Sequence, residues 1–568
     1  PRPPDLAPPA RPTPAASPAG GGPASEAPVA SGAPAASPAL PTDAPVEGPV
    51  PAVGVEAGIT FDTERFGAVE VERRLLLTRG ATGWQVRWSP AVLFPELGER
   101  GQLRLARVLS PRGRIVAQDG TVFADNRDDG TRVYPQRQLA GQLVGYASEV
   151  TAEDIEARPQ AGYEIGDPVG RSGLEATADD VLRGSPGWRL EAVPEGGGPT
   201  PVLESAGVPG ADLVITIRPA LQRAAEGVLA PYADAATAVV DPASGDIWAL
   251  ASRPAFDPNS LATGLALDGT ALSPADFNQL LNKAALGGYP AGSAFKPFTL
   301  AAALATGVAT AQSGVTCPPT WPVDGVTYVN FEQHSLPGVV SLAEAMAFSC
   351  NTTYMPLAGD VFVVDPGALP EMVRAFGFGA ASGARYLPEE AGIVPDEGWM
   401  QANRGSGYGF HDQLQLSIGQ GPLLVTPLQL ANAYAAIGNG GTLWTPRIAV
   451  ETRDPDGQVV ESFAPEPIRR VPLAPEQLAY IVETMRAVVT LPYGTATAAF
   501  AGFGVPVAGK SGTAETGTPN PNAWFPAIAP AEDPTISVAT VLVQVPLATG
   551  GSDAAPLVRQ VMAAFFGG

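Results

Sequence analysis

Tyr289-Pro290-Ala291-Gly292-Ser293-Ala294-Phe295-Lys296-Pro297 is the stretch that decides how this 568-residue chain is read. A Ser and a Lys three residues apart stand about one helical turn apart, so Ser293 and Lys296 share a face. A serine hydroxyl is a poor nucleophile until a neighbouring base takes its proton. Lysine serves as that base where a dry, cation-rich site lowers its pKa and leaves it partly neutral. Pro290 and Gly292 predict a tight turn that brings Ser293 to a helix N-terminus, where the helix dipole favours an oxyanion.

Two further stretches carry matching chemistry. Ser341-Leu342-Ala343-Glu344 is a capping box that starts a helix, and that helix delivers Ser349-Cys350-Asn351 to its C-terminal end. The Ser349 hydroxyl is suited to relaying a proton, and the Asn351 amide to holding a carbonyl or orienting a lysine. Val507 to Glu515 reads as a strand bearing Lys510, Ser511, Gly512 and Thr513. Gly512 lets a ligand lie close to the backbone, and Lys510, Ser511 and Thr513 suit a carboxylate. Alone, the Ser-x-Asn is a satisfied loop pair and the Lys-Ser-Gly a strand entering a turn. Together they are hard to reach by accident. Given a lysine, a Ser three residues earlier arises roughly once in fifteen and a following [ST]-G roughly once in a hundred.

Composition narrows the function classes. Lys and Arg total 34 against 57 Asp and Glu, a net charge of -23, which argues against a nucleic-acid or anionic-membrane partner, since either would need a basic patch. Lys283, Lys296 and Lys510 are the only lysines, so two of the three fall inside motifs. Cys317 and Cys350 make neither a zinc site nor a disulfide framework. They suffice for one bridge, and two buried thiols are the expectation. His334 and His411 lack metal-ligand spacing, so no metal and no cofactor is expected. No apolar run is long enough to span a membrane. The chain opens on Pro1 rather than Met, which fits a processed or trimmed form whose upstream anchor is missing.

Four regions follow along the chain. Residues 1–52 are a Pro/Ala-rich linker, too poor in large apolar groups to fold. Residues 53–108 form a β-rich module, with Ala68–Glu72 and Trp84–Trp88 alternating at period two about a turn at Arg79–Gly83. Residues 109–212 are mixed α/β scaffold. Residues 213–568 begin with the strand Leu213–Ile217 and an amphipathic helix from about Pro219 to Ala230. A hairpin about Asp241–Asp246 follows, and three strand-like runs and a helix from about Ala555 to Phe566 close the chain. Strands at both ends of this region predict one sheet, with the Ser293 helix between them.

The order Ser-x-x-Lys, Ser-x-Asn, Lys-[Ser/Thr]-Gly is the motif set of penicillin-binding proteins and class A β-lactamases. From about Arg112 onward the chain resembles a class B penicillin-binding protein, a monofunctional D,D-transpeptidase of peptidoglycan synthesis. Arg112-Gly113-Arg114-Ile115 and Gly170-Arg171-Ser172-Gly173-Leu174-Glu175 look like that family's N-terminal pedestal, of the dimerisation-domain type. Gly419-Gln420-Gly421 and Thr426-Pro427-Leu428-Gln429 look like its loop and helix after the second motif. Residues 53–108, with Ser89-Pro90 and Phe94-Pro95-Glu96-Leu97, resemble part of the NTF2-like module of the methicillin-resistance-type subgroup.

The resemblance implies a multidomain α+β protein whose C-terminal transpeptidase domain has the serine β-lactamase-like fold, a five-stranded antiparallel sheet flanked by helices. It makes Ser293 the acylated nucleophile and Lys296 its base. Ser349 passes the proton to the leaving D-Ala amine, and Asn351 holds Lys296 and the substrate amide. Lys510 tunes the local field, while Ser511, Gly512 and Thr513 line the carboxylate site. Backbone N–H groups of Ser293 and Thr513 form the oxyanion hole. The implied ligands are D-Ala-D-Ala stem peptides, an amine acceptor and β-lactams, with cell-wall synthases as partners, at the extracytoplasmic face of the cell membrane. Two other readings use the same fold: a β-lactam hydrolase, for which no extra carboxylate motif is evident, and a β-lactam sensor, which would carry a signalling domain.

Overall fold

The computed structural model describes residues 52–261 and 278–567; the opening stretch read as a linker lies outside them, save Ala52. The chain divides into two compact units. In the first, residues 52–57 and 72–88, a hairpin pairs Leu77 with Val86 and Arg79 with Trp84. The second contains residues 58–71 and everything from Ser89 on.

Within this second unit, strand Gln102–Val108 pairs with Gly187–Val193, which pairs with Thr200–Ser205. Residues on either side of position 108 therefore share a sheet. The two pedestal stretches quoted above meet at a buried ion cluster. Arg112 Nε and Arg132 Nε each lie 2.7 Å from an oxygen of Glu175, and Arg112 also reaches Asp179 at 2.7 Å. Burial by itself raises the Glu175 pKa, but the two guanidiniums outweigh it and hold the carboxyl below its usual range. Strand Asp212–Ile215 runs parallel to Ile115–Ala117 and antiparallel to Ala449–Arg453. The region from 213 thus opens in a sheet it shares with the pedestal.

Helix α1 (Pro219–Leu229) leads into the predicted hairpin, β1 (Ala235–Val240) and β2 (Ile247–Arg253). The middle of the chain supplies α2 (Lys296–Ala305), then β3 (Gly314–Cys317), β4 (Thr320–Val323), β5 (Val326–Val329) and β6 (Leu336–Ser341). Helices α3 (Leu342–Phe348), α4 (Asn351–Val364), α5 (Pro427–Gly438) and α6 (Pro475–Thr490) follow. The end adds β7 (Ala508–Gly509), β8 (Gly512–Ala514), β9 (Asn522–Ala529), β10 (Ile536–Leu542) and α7 (Ala555–Phe566). The main sheet is antiparallel in the order β2-β1-β10-β9-β7, with β8 also on β9.

The sheet therefore has six strands rather than the five expected, because its last position is split. Lys510 N donates to Pro526 O at 3.1 Å, but proline has no N–H to return, and the ladder lapses between β7 and β8. Helices α1 and α7 pack together against the sheet, as does α5. With both faces covered, β1 and β9 are buried at every position, so they read as continuous apolar runs without alternation.

The expectation of two free thiols is corrected. Cys317 and Cys350 form a disulfide with Cα atoms 5.9 Å apart. Strand β3 pairs with β6, and β6 runs directly into α3, whose far end presents Cys350 beside Cys317. Among the described residues no helix is long and apolar enough to cross a membrane.

Candidate active site

Gly292, at φ +56°, starts a single 3-10 turn over Gly292–Phe295, and α2 begins at Lys296. Ser293 therefore stands one turn ahead of the α-helix proper. Helix α2 is apolar on every side apart from its lysine and Thr299, and nine of its ten residues are buried, as expected for a helix in the middle of a core. That burial carries Lys296 inside. Two side chains from elsewhere brace the turn: Trp524 Nε1 donates to Pro290 O at 2.8 Å, and Tyr434 OH to Ala294 O at 2.7 Å. Gly292 N donates to Gly419 O at 2.9 Å. A Cβ on Gly419 would lie 2.2 Å from Gly292 O, so only glycine admits this approach.

The predicted capping box is present, with Ser341 and Glu344 bonded reciprocally at the start of α3. At the other end Ser349 adopts a left-handed conformation, φ +65° and ψ +37°, a position usually given to glycine. Both its oxygens accept from Lys296 Nζ, the carbonyl at 2.5 Å and Oγ at 3.2 Å. The same Nζ lies 3.0 Å from Ser293 Oγ and 2.8 Å from Asn351 Oδ1. Lys510 Nζ reaches Ser349 Oγ and Ser511 O, both at 2.9 Å. One serine hydroxyl thus bridges the two lysines.

Both lysines are fully buried, and among the described residues no Asp or Glu hydrogen-bonds to either. Burial pushes Lys296 well below the ordinary lysine value, and the nearby Lys510 lowers it further. Burial also pushes Lys510 down to about 7. Ser293, Ser349, Asn351 and Thr513 beside them are only half-buried. Strand β8 lies beside the Ser293 turn so tightly that a Cβ on Gly512 would lie 2.5 Å from Ala291 O.

The structure brings Ser293, Lys296, Ser349, Asn351 and Lys510 into one hydrogen-bonded cluster. Ser511 joins through Lys510, and β8 carries Gly512 and Thr513 alongside. Sequence reasoning missed Thr495, whose Oγ1 lies 2.7 Å from Ser511 Oγ, and the bracing pair Tyr434 and Trp524. None of these stands at a telling spacing from a motif.

Residues 235–563 match the model of the penicillin binding protein transpeptidase domain. The chain belongs to this family. Residues 127–215 match the penicillin-binding protein dimerisation domain, which makes it a class B penicillin-binding protein. It is 32% identical over 526 residues to the peptidoglycan D,D-transpeptidase PbpA of Mycolicibacterium smegmatis, covering 86% of this chain and 96% of the relative. Among solved structures it resembles Pseudomonas aeruginosa PBP2 in complex with WCK 5153, with TM-score 0.69 and 29% identity over 81% of this chain and 96% of that one. It also resembles penicillin-binding protein A of M. tuberculosis in a ceftriaxone acyl-enzyme complex, with TM-score 0.65 and 28% identity over 80% and 98% of the two chains. Neither family model reaches residues 53–108, and the likeness of that stretch to an NTF2-like module, with the methicillin-resistance subgroup, has no support in these comparisons.

Proposed function

We propose that this penicillin-binding protein is a peptidoglycan D,D-transpeptidase working through a Ser293 acyl-enzyme. The observation that carries the reading is a buried, carboxylate-free Lys296 amine 3.0 Å from Ser293 Oγ. Burial, and beside it the Lys510 amine, weaken this lysine's hold on a proton, which suits it to accept the one on serine. Ser293 Oγ attacks the carbonyl of the penultimate D-Ala, and the developing oxyanion faces the N–H groups of Ser293 and Thr513. Ser349 Oγ, in contact with both lysines, passes a proton to the departing D-Ala nitrogen as the C–N bond breaks. An acceptor amine then attacks the ester, loses its proton along the same route and returns Ser293 to its starting form. Lys510, Ser511 and Thr513 hold the terminal carboxylate of the donor. β-Lactams carry a comparable carboxylate and a reactive amide, so they acylate the same serine. The substrate places this chemistry at the extracytoplasmic face of the cell membrane.

The hydrolase reading needs a base for a deacylating water. No carboxylate among the described residues touches the cluster, which favours a long-lived acyl-enzyme. The test is intact-protein mass after incubation with benzylpenicillin. The wild type is expected to gain one drug mass and keep it, and Ser293→Ala to gain none. Drug turnover without a lasting adduct would replace the transpeptidase with a hydrolase, and an adduct on Ser293→Ala would remove Ser293 from its role.

A further inference from the structure

We propose that Asn330 is a positioning residue for acyl transfer: from outside helix α4 it caps that helix's first turn, and so sets the face that Asn351 turns to Lys296. The inference rests on the reading of Lys296 as the base.

An α-helix starts with backbone N–H groups that have no partner inside the helix. The residue before α4 that would normally supply one is Cys350, and its side chain makes no capping bond because its sulfur is committed to Cys317. Asn330, just past the end of β5, does the work from a separate segment. Its Oδ1 accepts from Thr352 N at 3.1 Å and from Thr352 Oγ1 at 3.2 Å. Its Nδ2 donates to Pro318 O and His334 O, both at 2.8 Å. Carbonyls can only accept, so these two bonds fix which way the amide faces and leave its oxygen for the helix. Asn330 is 4% exposed and Thr352 2%.

The preceding residue completes the device. Val329 O accepts from Asn351 Nδ2 at 3.0 Å, so the Asn351 amide is fixed in turn, with Oδ1 toward Lys296 Nζ at 2.8 Å. Consecutive residues at the end of β5 and just past it thus hold the start of α4 by three bonds, two to Thr352 and one to the catalytic side chain. Without Asn330, the Thr352 N–H is left buried and unpaired, the first turn of α4 shifts, and Asn351 loses its orientation toward the base. Ser349, two residues upstream, moves with it.

The experiment follows acylation by a fluorescent penicillin and separates two quantities: the final amplitude, which counts competent sites, and the rate per site. For Asn330→Ala the amplitude is expected to match the wild type while the rate falls by about 10- to 100-fold, the size of effect produced by sub-ångström to ångström misplacement of catalytic groups. A purely structural role would lower the amplitude and leave the rate per site intact, and that result overturns the proposal. So does a rate within about twofold of wild type, well short of the misplacement effect. Asn330→Ser, too short to reach Thr352 N but still polar, is read by the same split if the alanine variant does not fold. A wild type that takes no label would overturn the transpeptidase reading as well. A labelled wild type beside an unslowed Asn330→Ala overturns the positioning role alone.

Discussion

Lys510→Met separates what the second lysine does for catalysis from what its burial does to stability. Methionine keeps an unbranched apolar side chain of similar length and removes the amine. In the fold Lys510 is completely enclosed and its pKa lies at about 7, against about 10.4 for an exposed lysine. At about 1.36 kcal/mol for each unit, burying this amine destabilises the native state by about 4 kcal/mol near pH 7. Methionine escapes that penalty but forfeits the bonds to Ser349 Oγ and Ser511 O, worth about 1 kcal/mol each. The variant is therefore expected to be more stable than wild type by about 2 kcal/mol near neutrality, and inactive.

The pH dependence is the sharper signature. A depressed folded pKa means the unfolded chain holds the extra proton between about 7 and about 10.4, so wild-type stability rises with pH across that window. The advantage of the variant should shrink by about 1.4 kcal/mol per pH unit there, and reverse about midway through the window. Urea unfolding of both proteins at several pH values measures this. A difference that does not change with pH, or a variant less stable at neutrality, would refute a largely neutralised Lys510.

Two further outcomes follow from the same geometry. The second-order rate constant for β-lactam acylation is expected to fall as pH rises through about 7, where free Lys510 loses its charge. The first-order step at saturating drug should hold to higher pH, because a bound carboxylate raises the pKa of the lysine it meets; coincident profiles would contradict the Lys510 carboxylate contact. Replacing Cys317 and Cys350 together by Ala opens a cross-link of sequence separation 33. Loop entropy puts the resulting loss of stability at about 3 to 4 kcal/mol; a loss under about 1 kcal/mol in urea unfolding would show that the bridge does not restrain the unfolded chain.

Local spacing made much of the site legible. Ser293 and Lys296 are one turn apart, and the Ser341–Glu344 capping box starts its helix where predicted. The terminal helix runs over Ala555–Phe566 as read. What escaped the sequence depends on approach between distant segments. The contact of Ser349 with both lysines needs a left-handed turn at a serine, and no residue type announces that. Cys317 meets Cys350 only because β3 pairs with β6. The break at Lys510 comes from Pro526 on the neighbouring strand, a residue that acts only once the two are paired. Thr495 and Asn330 lie in loops whose partners are set by the fold.

The rarity of lysine acquires a practical meaning once its burial is known. Lys283 is 2% exposed and Lys296 and Lys510 not at all, and the chain has no other lysine. The folded protein presents no side-chain ammonium to solvent, while Lys510, at about 7, is mostly free amine in mildly alkaline buffer. Amine-directed reagents will therefore find no lysine on the folded surface. Conjugation or immobilisation of the intact protein is better directed at carboxylates, of which the 57 Asp and Glu residues give a large supply.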